Sequence, residues 1–187
     1  TYDRDHQAAA WVYHEVKGDP VSLSGTWDLQ FLSGGPEIPE RVQMDKLTSW
    51  TEFTPRSEAF SGTARYRIEF ENPDPEVTHW LLDLGDVRES ARVWINGQFL
   101  GCLWSVPFST VTDKLQKGIN ALEIEVTNLS ANRLRDLERK GVEWKIFYEI
   151  NMVNRHYEKF DATIWDPMPS GLLGKITISP LENRAPQ

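Results

Sequence analysis

The chain has 187 residues, of which 40% are hydrophobic and 26% are charged, and this balance excludes disordered, collagenous and transmembrane proteins. The formal net charge of −8 argues against a nucleic-acid partner, because phosphate binding needs a basic face. No apolar run reaches the roughly 18 residues that span a bilayer, so we expect no membrane partner. At this length we expect one domain, and its eight tryptophans raise the possibility of aromatic platforms for a flat ligand.

The predicted elements begin after an N-terminal strap, residues 1–20, in which segment 5–16 fits either one helix or an extended stretch. Residues 27–31 form a short candidate strand. Residues 63–70 alternate apolar and polar side chains, which indicates a half-buried strand with one solvated face. Residues 79–84 are more continuously apolar and suit a central strand.

The later strands are separated by recognisable turns. Asn96-Gly97 lies between two strand-like runs and predicts a type I′ hairpin, because that turn needs positive φ at both positions. Residues 91–95, 122–126 and 175–178 all alternate in the same way. Many short strands at fairly regular spacing favour a sandwich or barrel over a parallel sheet with crossover helices.

Helical signals are few. Residues 131–140 are good helix formers, and Gly141 could cap their C-terminus. Residues 142–169 form a long aromatic-rich loop, and a loop of that length is usually functional or packed on another domain. We therefore predict a single β-sandwich domain over residues 21–181 with one or two short helices, followed by a tail at 182–187.

The sequence offers little metal or nucleophile chemistry. Cys102 is the single cysteine, so no intramolecular disulfide or cysteine-based metal site is expected. The four histidines form no H-x-H or H-x-x-x-H pair, and no P-loop, dinucleotide fingerprint or G-x-S-x-G motif occurs. We therefore predict neither a metal site nor a cofactor. A structural Ca²⁺ ion is possible at a strand end, although no acidic loop is rich enough to support it.

The carboxylates are expected to have structural roles. Asp83 and Asp86 flank Gly85 at the end of a strand, where Asp83 would make a local hydrogen bond and Asp86 would supply turn chemistry. Glu123 and Glu125 share one face of a strand, and we expect both to be solvated.

Six residues are candidates for carbohydrate binding. Trp104 follows the hairpin and is either a core indole, which we favour, or a surface platform for a sugar ring. Asn128, Asn132 and Arg133 have donors and acceptors suited to hydroxyl recognition, but the same groups could cap the helix and fix the loop. Trp144 and Trp165, in the aromatic-rich loop, complete the set.

Seven segments in a fixed order carry a family resemblance. They are FSGTARY at 60–66, DLGDVRE at 83–89, ARVWING at 91–97, LGCLWSVPF at 100–108, GINALEIEVTN at 118–128, NRL at 132–134 and SGLLG at 170–174. The series resembles the sugar-binding-like jelly-roll domain of glycoside hydrolase family 2. It is most similar to the version found toward the C-terminus of large bacterial enzymes of the family 106 α-L-rhamnosidase type.

The resemblance implies an all-β fold, a galactose-binding-domain-like jelly-roll β-sandwich. It also implies a non-catalytic accessory module of a larger, extracytoplasmic, polysaccharide-degrading glycoside hydrolase. Such a module would face carbohydrate or pack on the catalytic domain, with Trp94 on a face that could meet a partner domain. The chain begins at Thr1 with no leader pattern, so we expect either that a signal peptide was removed or that the chain is part of a longer protein.

Two other functions stay open. A free-standing, lectin-like carbohydrate-binding module would need an exposed aromatic platform, for which Trp104, Trp144 and Trp165 are the candidates. A small jelly-roll glycosidase would need two carboxylates about 5–5.5 Å apart for retention or roughly 6.5–9.5 Å apart for inversion.

Overall fold

The computed structural model describes residues 13–146 and 158–184, and β-strands dominate them. The helical elements are a 3₁₀ turn at Trp50–Glu52, helix α1 at Pro55–Glu58 and helix α2 at Ala131–Arg139. The strands are β1 (Tyr13–Val16), β2 (Val21–Ser22), β3 (Trp27–Gly35), β4 (Val42–Met44), β5 (Ser61–Glu71), β6 (His79–Asp83), β7 (Val87–Arg88), β8 (Ser90–Ile95), β9 (Gln98–Leu103), β10 (Ser109–Thr112), β11 (Ile119–Thr127), β12 (Gly171–Leu172) and β13 (Thr177–Arg184).

Two antiparallel sheets form the sandwich. Six strands in the order β4-β3-β5-β11-β8-β9 make one sheet, and β1-β13-β6-β10, with β2 also on β13, make the other. A short pair, β7 with β12, joins the loops at one end. The expected all-β jelly-roll sandwich with short helices is confirmed.

The core lies between the two sheets and follows from the alternation of side chains. In β5 the even-numbered side chains are buried, namely Ala64, Tyr66, Ile68 and Phe70. Their partners across the β5–β11 register, Leu122, Ile124 and Val126 among them, are fully buried as well. Three of the tryptophans, Trp27, Trp50 and Trp80, are also buried, so the high tryptophan content partly reflects packing.

The hairpin between β8 and β9 forms at Asn96-Gly97 as predicted, with φ of 52° and 75°. Asn96 also ties the turn to β11, because its Oδ1 accepts a hydrogen bond from the Ala121 N–H at 2.9 Å and its Nδ2 donates to Asn120 Oδ1 at 2.8 Å. The turn is thus fixed by tertiary contacts as well as by backbone preference.

Strand pairing extends to both ends of the described chain. Tyr13–Val16 is extended, and its residues pair with residues 181–184 of β13. The described parts of the strap and of the tail therefore meet as neighbouring strands at one edge of a sheet. The remainder of the strap, residues 1–12, lies outside the described residues, as do residues 147–157 of the long loop and residues 185–187 of the tail.

The long loops gather at one end of the sandwich, which we call the loop end and define as residues 36–41, 45–60, 84–89, 104–108, 128–146 and 158–176. The strand registers place it there: Gly35 pairs with Ser61, Thr127 with Thr63 and Ser90, and Asp83 with Ser109 and Thr177. All six sequence-derived candidates follow strands that finish at this end.

Candidate functional site

Asn132, on the first turn of α2, holds the segment that returns from the long loop to the sandwich. Its side chain is 2% exposed. Its Nδ2 donates to the Met168 carbonyl at 2.8 Å, and its Oδ1 accepts from the Met168 N–H at 2.7 Å. Both the Nδ2 and the Oδ1 of Asn132 are thus hydrogen-bonded within the protein. This is the loop-fixing role, one of the two roles that the sequence left open.

Asn128 has a similar role directly after β11, where its side chain is also buried. Its Oδ1 accepts from the Gly62 N–H at 2.9 Å, and its Nδ2 donates to the Phe60 carbonyl and to Ser170 Oγ, both at 3.0 Å. Asn132 also reaches Ser170 Oγ, at 3.3 Å. The structure therefore brings Asn128 and Asn132 together, at a buried polar node around Ser170.

Two arginines of α2 extend the attachment begun by Asn132. Arg135 Nε donates to the Trp165 carbonyl at 2.7 Å, and Arg139 Nε donates to the Thr163 carbonyl at 2.9 Å. Positions three and four apart share one helix face, so residues 132, 135 and 139 form a row along α2. Arg135 and Arg139 are not among the sequence-derived candidates, although this spacing is visible in the sequence.

Arg133 lies outside that row. Its Nη1 makes an ion pair with Asp136 Oδ2 at 2.8 Å, one turn along the same helix. The two residues form a local i, i+3 pair, and its side chain is partly exposed at the surface of α2.

Trp144 and Trp165 belong to one aromatic cluster with Phe160 between them. The ring centroids are 5.6 Å apart for Trp144 and Phe160 and 5.4 Å apart for Phe160 and Trp165, both in edge-to-face geometry. The cluster brings together the two described arms of the long loop, residues 142–146 and 158–169.

Glu138 of α2 anchors this cluster. Trp144 Nε1 donates to Glu138 Oε1 at 2.7 Å, and Lys145 Nζ lies 2.8 Å from the same oxygen. Lys145 also stands 5.6 Å from the Trp144 ring centroid, within cation–π distance. The Lys145 hydrogen bond, and next to it the Trp144 hydrogen bond, hold the pKa of Glu138 below its ordinary value.

Trp104 is exposed, so the expectation that it packs in the core is wrong. It lies between β9 and β10, and 77% of its surface is accessible. Val106, two residues on, is 80% exposed. Strand β9 ends at Leu103, and the chain then turns outward before Phe108 returns to the core. The loop end therefore carries an apolar tip at residues 104–106.

Glu125 is the second correction, because it is 6% exposed and not solvated. It lies on the outer face of the six-stranded sheet, where Arg65 Nη2 donates to its Oε1 at 2.6 Å and Arg92 donates to its Oε2. Arg92 also lies 5.7 Å from the Trp94 ring centroid. Both carboxylate oxygens are thus bound by arginines from the neighbouring strands β5 and β8, which explains why a charged residue on an outer face is buried.

The carboxylates near β7 have local partners. Asp83 Oδ1 accepts from the Gly85 N–H at 2.9 Å, which confirms the hydrogen bond expected there. Asp86 pairs with Arg88 through two bonds of 2.6 and 2.8 Å, and these hydrogen bonds lower the pKa of Asp86. A carboxylate held ionised in this way is a poor general acid.

Within residues 13–146 and 158–184, no group of three or more His, Cys, Asp and Glu side chains is placed to hold a metal ion. In the same part of the chain, no helix is both long enough and apolar enough to cross a membrane.

Comparison with known proteins places this fold among glycoside hydrolases. No protein-family profile matches the chain. A protein of Formosa agariphila named "Putative beta-glucuronidase" is 35% identical over an alignment of 187 positions, which covers 89% of this chain and 16% of that protein. The structure of a rhamnosidase from Novosphingobium sp. PP1Y superposes with a TM-score of 0.69 at 27% identity, over 96% of this chain and 16% of that one.

A more distant neighbour shares the fold. A GH2 beta-galacturonidase from Eisenbergiella tayi superposes with a TM-score of 0.55 at 17% identity, over 91% of this chain and 26% of that one. The chain thus shares a β-sandwich fold with domains of known glycoside hydrolases. It spans 16% of the length of both the curated relative and the rhamnosidase that it matches.

Proposed function

We propose that this chain serves as a non-catalytic accessory β-sandwich domain of a larger bacterial, extracytoplasmic glycoside hydrolase of the α-L-rhamnosidase type. The observation that carries the proposal is the 16% share of the matched rhamnosidase and of the matched curated relative. A protein of which this chain covers only 16% has room for several domains, so this fold would be one domain beside a separate catalytic domain.

The loop end is the face that would pack on the rest of the enzyme. Several large apolar side chains are exposed there: Trp104, Val106, Leu129, Ile146, Ile164 and Met168. Large apolar side chains exposed at one end of a domain favour an interaction site there, and a tryptophan such as Trp104 is a typical interface anchor. The α2 row and the Ser170 node would hold these loops in a fixed shape for docking.

The ion pairing of Asp86, Glu125 and Glu138 argues against a general-acid role for these three carboxylates. Glycoside hydrolysis needs one carboxylic acid with a raised pKa and a second carboxylate at a defined distance. Asp86 and Glu138, at the loop end, instead have lowered pKa values because of Arg88 and Lys145. Glu125 is enclosed by two arginines.

The gene itself provides the first test of this proposal. A catalytic domain encoded in the same reading frame is the expected result, whereas a signal peptide directly before Thr1 and a stop codon after Gln187 would contradict the accessory role. A second test incubates the purified chain with plant polysaccharides and aryl glycosides. We expect no release of reducing sugar, and turnover that survives repurification and disappears in a carboxylate variant would show an enzyme.

A free-standing carbohydrate-binding module is the second candidate function. The exposed indole of Trp104 favours it, because the CH groups of a pyranose face stack on aromatic rings. Calorimetry with soluble oligosaccharides distinguishes the two functions: the module should bind without any partner domain, and Trp104→Ala should abolish that binding.

A further inference from the structure

A concave site that contains none of the six sequence-derived candidates lies between the β3–β4 loop and α1. It encloses about 320 Å³, which is at the small end of the range for ligand pockets. Its apolar wall comes from Phe31, Val42 and Phe53, together with Pro39 and Pro55. We call this site the β3–α1 pocket.

The wall of the β3–α1 pocket is held rigidly from behind. Phe31 is buried and packs edge-to-face on Trp50 at 5.6 Å and on Phe60 at 5.0 Å. Thr54 and Ser57 form a capping box, in which the Ser57 N–H donates to Thr54 Oγ1 at 3.1 Å and the Thr54 N–H donates to Ser57 Oγ at 3.0 Å. A preformed pocket binds a small ligand with little ordering cost.

The rim of the pocket is charged, but its arginines already have carboxylate partners. Arg41 donates to Asp28 through Nε and through Nη2, the latter at 2.6 Å. Arg56 Nη2 lies 2.8 Å from Glu37. Each guanidinium has five N–H donors, so both arginines keep donors for a ligand while their charge is balanced.

Glu40 supplies the acceptor of the rim. Within the described residues it has no ion-pair partner, and it lines the same pocket. Since Asp28 and Glu37 balance the two arginines, the unbalanced charge at the rim is one carboxylate. This charge disfavours an anionic ligand.

We propose that the β3–α1 pocket binds a single neutral sugar ring, with one face on Phe53 and its hydroxyls on Glu40, Arg41 and Arg56. A hydroxyl both donates and accepts, so neighbouring hydroxyls satisfy guanidinium donors and the Glu40 acceptor together. The CH face of the ring matches the apolar wall. The pocket is formed by this chain alone, so the proposal is independent of the accessory role.

The test titrates the ¹⁵N-labelled chain with L-rhamnose, D-galactose, D-glucose and D-glucuronate, and follows amide chemical shifts. We expect saturable binding of at least one neutral sugar in the millimolar range. The shifts should concentrate at Arg41, Phe53 and Ser57. Failure of every neutral sugar to saturate, or tighter binding of D-glucuronate than of all three, would overturn the proposal.

Variants then locate the binding. Glu40→Ala and Arg56→Ala remove exposed rim groups and should weaken binding about tenfold each, as expected for hydrogen bonds to charged groups. Phe53→Leu keeps an apolar wall and removes the aromatic face, and it should weaken binding as well. Lys117→Ala is the control, because Lys117 pairs with Glu76 at the opposite end of the sandwich. Affinity that is unchanged in both rim variants, with folding confirmed by circular dichroism, would place the sugar elsewhere.

Discussion

Asn132 and Met168 are joined by two hydrogen bonds, one donated and one accepted by the same side-chain amide. The side-chain amide of Asn132 pairs with the backbone N–H and carbonyl of Met168, as a residue of a neighbouring β-strand would. It fixes the last part of a long loop 36 residues downstream, so the shape of the loop end depends on α2.

Replacement of Asn132 by alanine should destabilise the domain by about 1–3 kcal/mol, because it leaves buried polar groups unpaired. Arg133→Ala is the matched control on the same helix. Arg133 makes only a local pair with Asp136 in the described part, so its loss should cost within about 0.5 kcal/mol. Urea unfolding measures both. Equal effects of the two substitutions would show that the Met168 contact is unimportant.

Trp104→Ala should leave the unfolding free energy almost unchanged, within about 0.5 kcal/mol, because the indole is largely exposed. Trp27→Ala, which removes a buried indole from β3, should cost about 3–5 kcal/mol. Thermal and urea unfolding of the two variants provides the comparison. A loss above about 2 kcal/mol for Trp104→Ala would mean that the indole packs in the core in solution.

Glu125→Gln should destabilise the domain by about 1–3 kcal/mol, because it weakens charge-assisted bonds to both Arg65 and Arg92. Glu123→Gln is the control on the same strand, since Glu123 lies 3.8 Å from Arg65 and makes only a surface pair. A double-mutant cycle of Glu125→Gln with Arg92→Ala isolates the pair. A coupling energy near zero would contradict the arrangement.

Glu138 should make stability depend on pH in the acid range. Its pKa in the folded protein is lowered from an ordinary value of 4.5, so its contribution is complete above that pH and is lost as the pH falls through the lower folded-state pKa. The melting-temperature difference between the wild-type protein and Glu138→Gln should therefore be largest near neutral pH and shrink in acid. A difference that stays constant from pH 7 to strongly acidic solution would argue against the Lys145 and Trp144 contacts.

Much of the fold could be predicted because its cause is local. The alternation over residues 63–70 decides which side chains of β5 face the core, and Asn96-Gly97 decides where β8 turns into β9. The helix at α2 follows from its composition and from Gly141, whose φ of 63° ends it. In each case the relevant interactions join residues that are close in sequence.

The candidate site could be predicted only in part. A sequence pattern identifies polar and aromatic residues, but it does not show which distant residues they contact. The sequence marks Asn128 and Asn132 as hydrogen-bonding groups and leaves two roles open for each, hydroxyl recognition and fixing of the loop. Their use inside the protein depends on Ser170 and Met168, which lie far along the chain. The β3–α1 pocket was not predicted, since its wall joins Phe31 of β3 with Phe53 beside α1.

The all-β class, the strand faces, the hairpin and the helix can be predicted from the sequence, since they follow from side-chain period and turn chemistry. The exposure of Trp104 and the burial of Glu125 depend on the three-dimensional packing. An alternating strand assigns a residue to a face, but the covering of that face comes from segments distant in sequence. Arg65 lies 60 residues from Glu125, and no local pattern brings the two together.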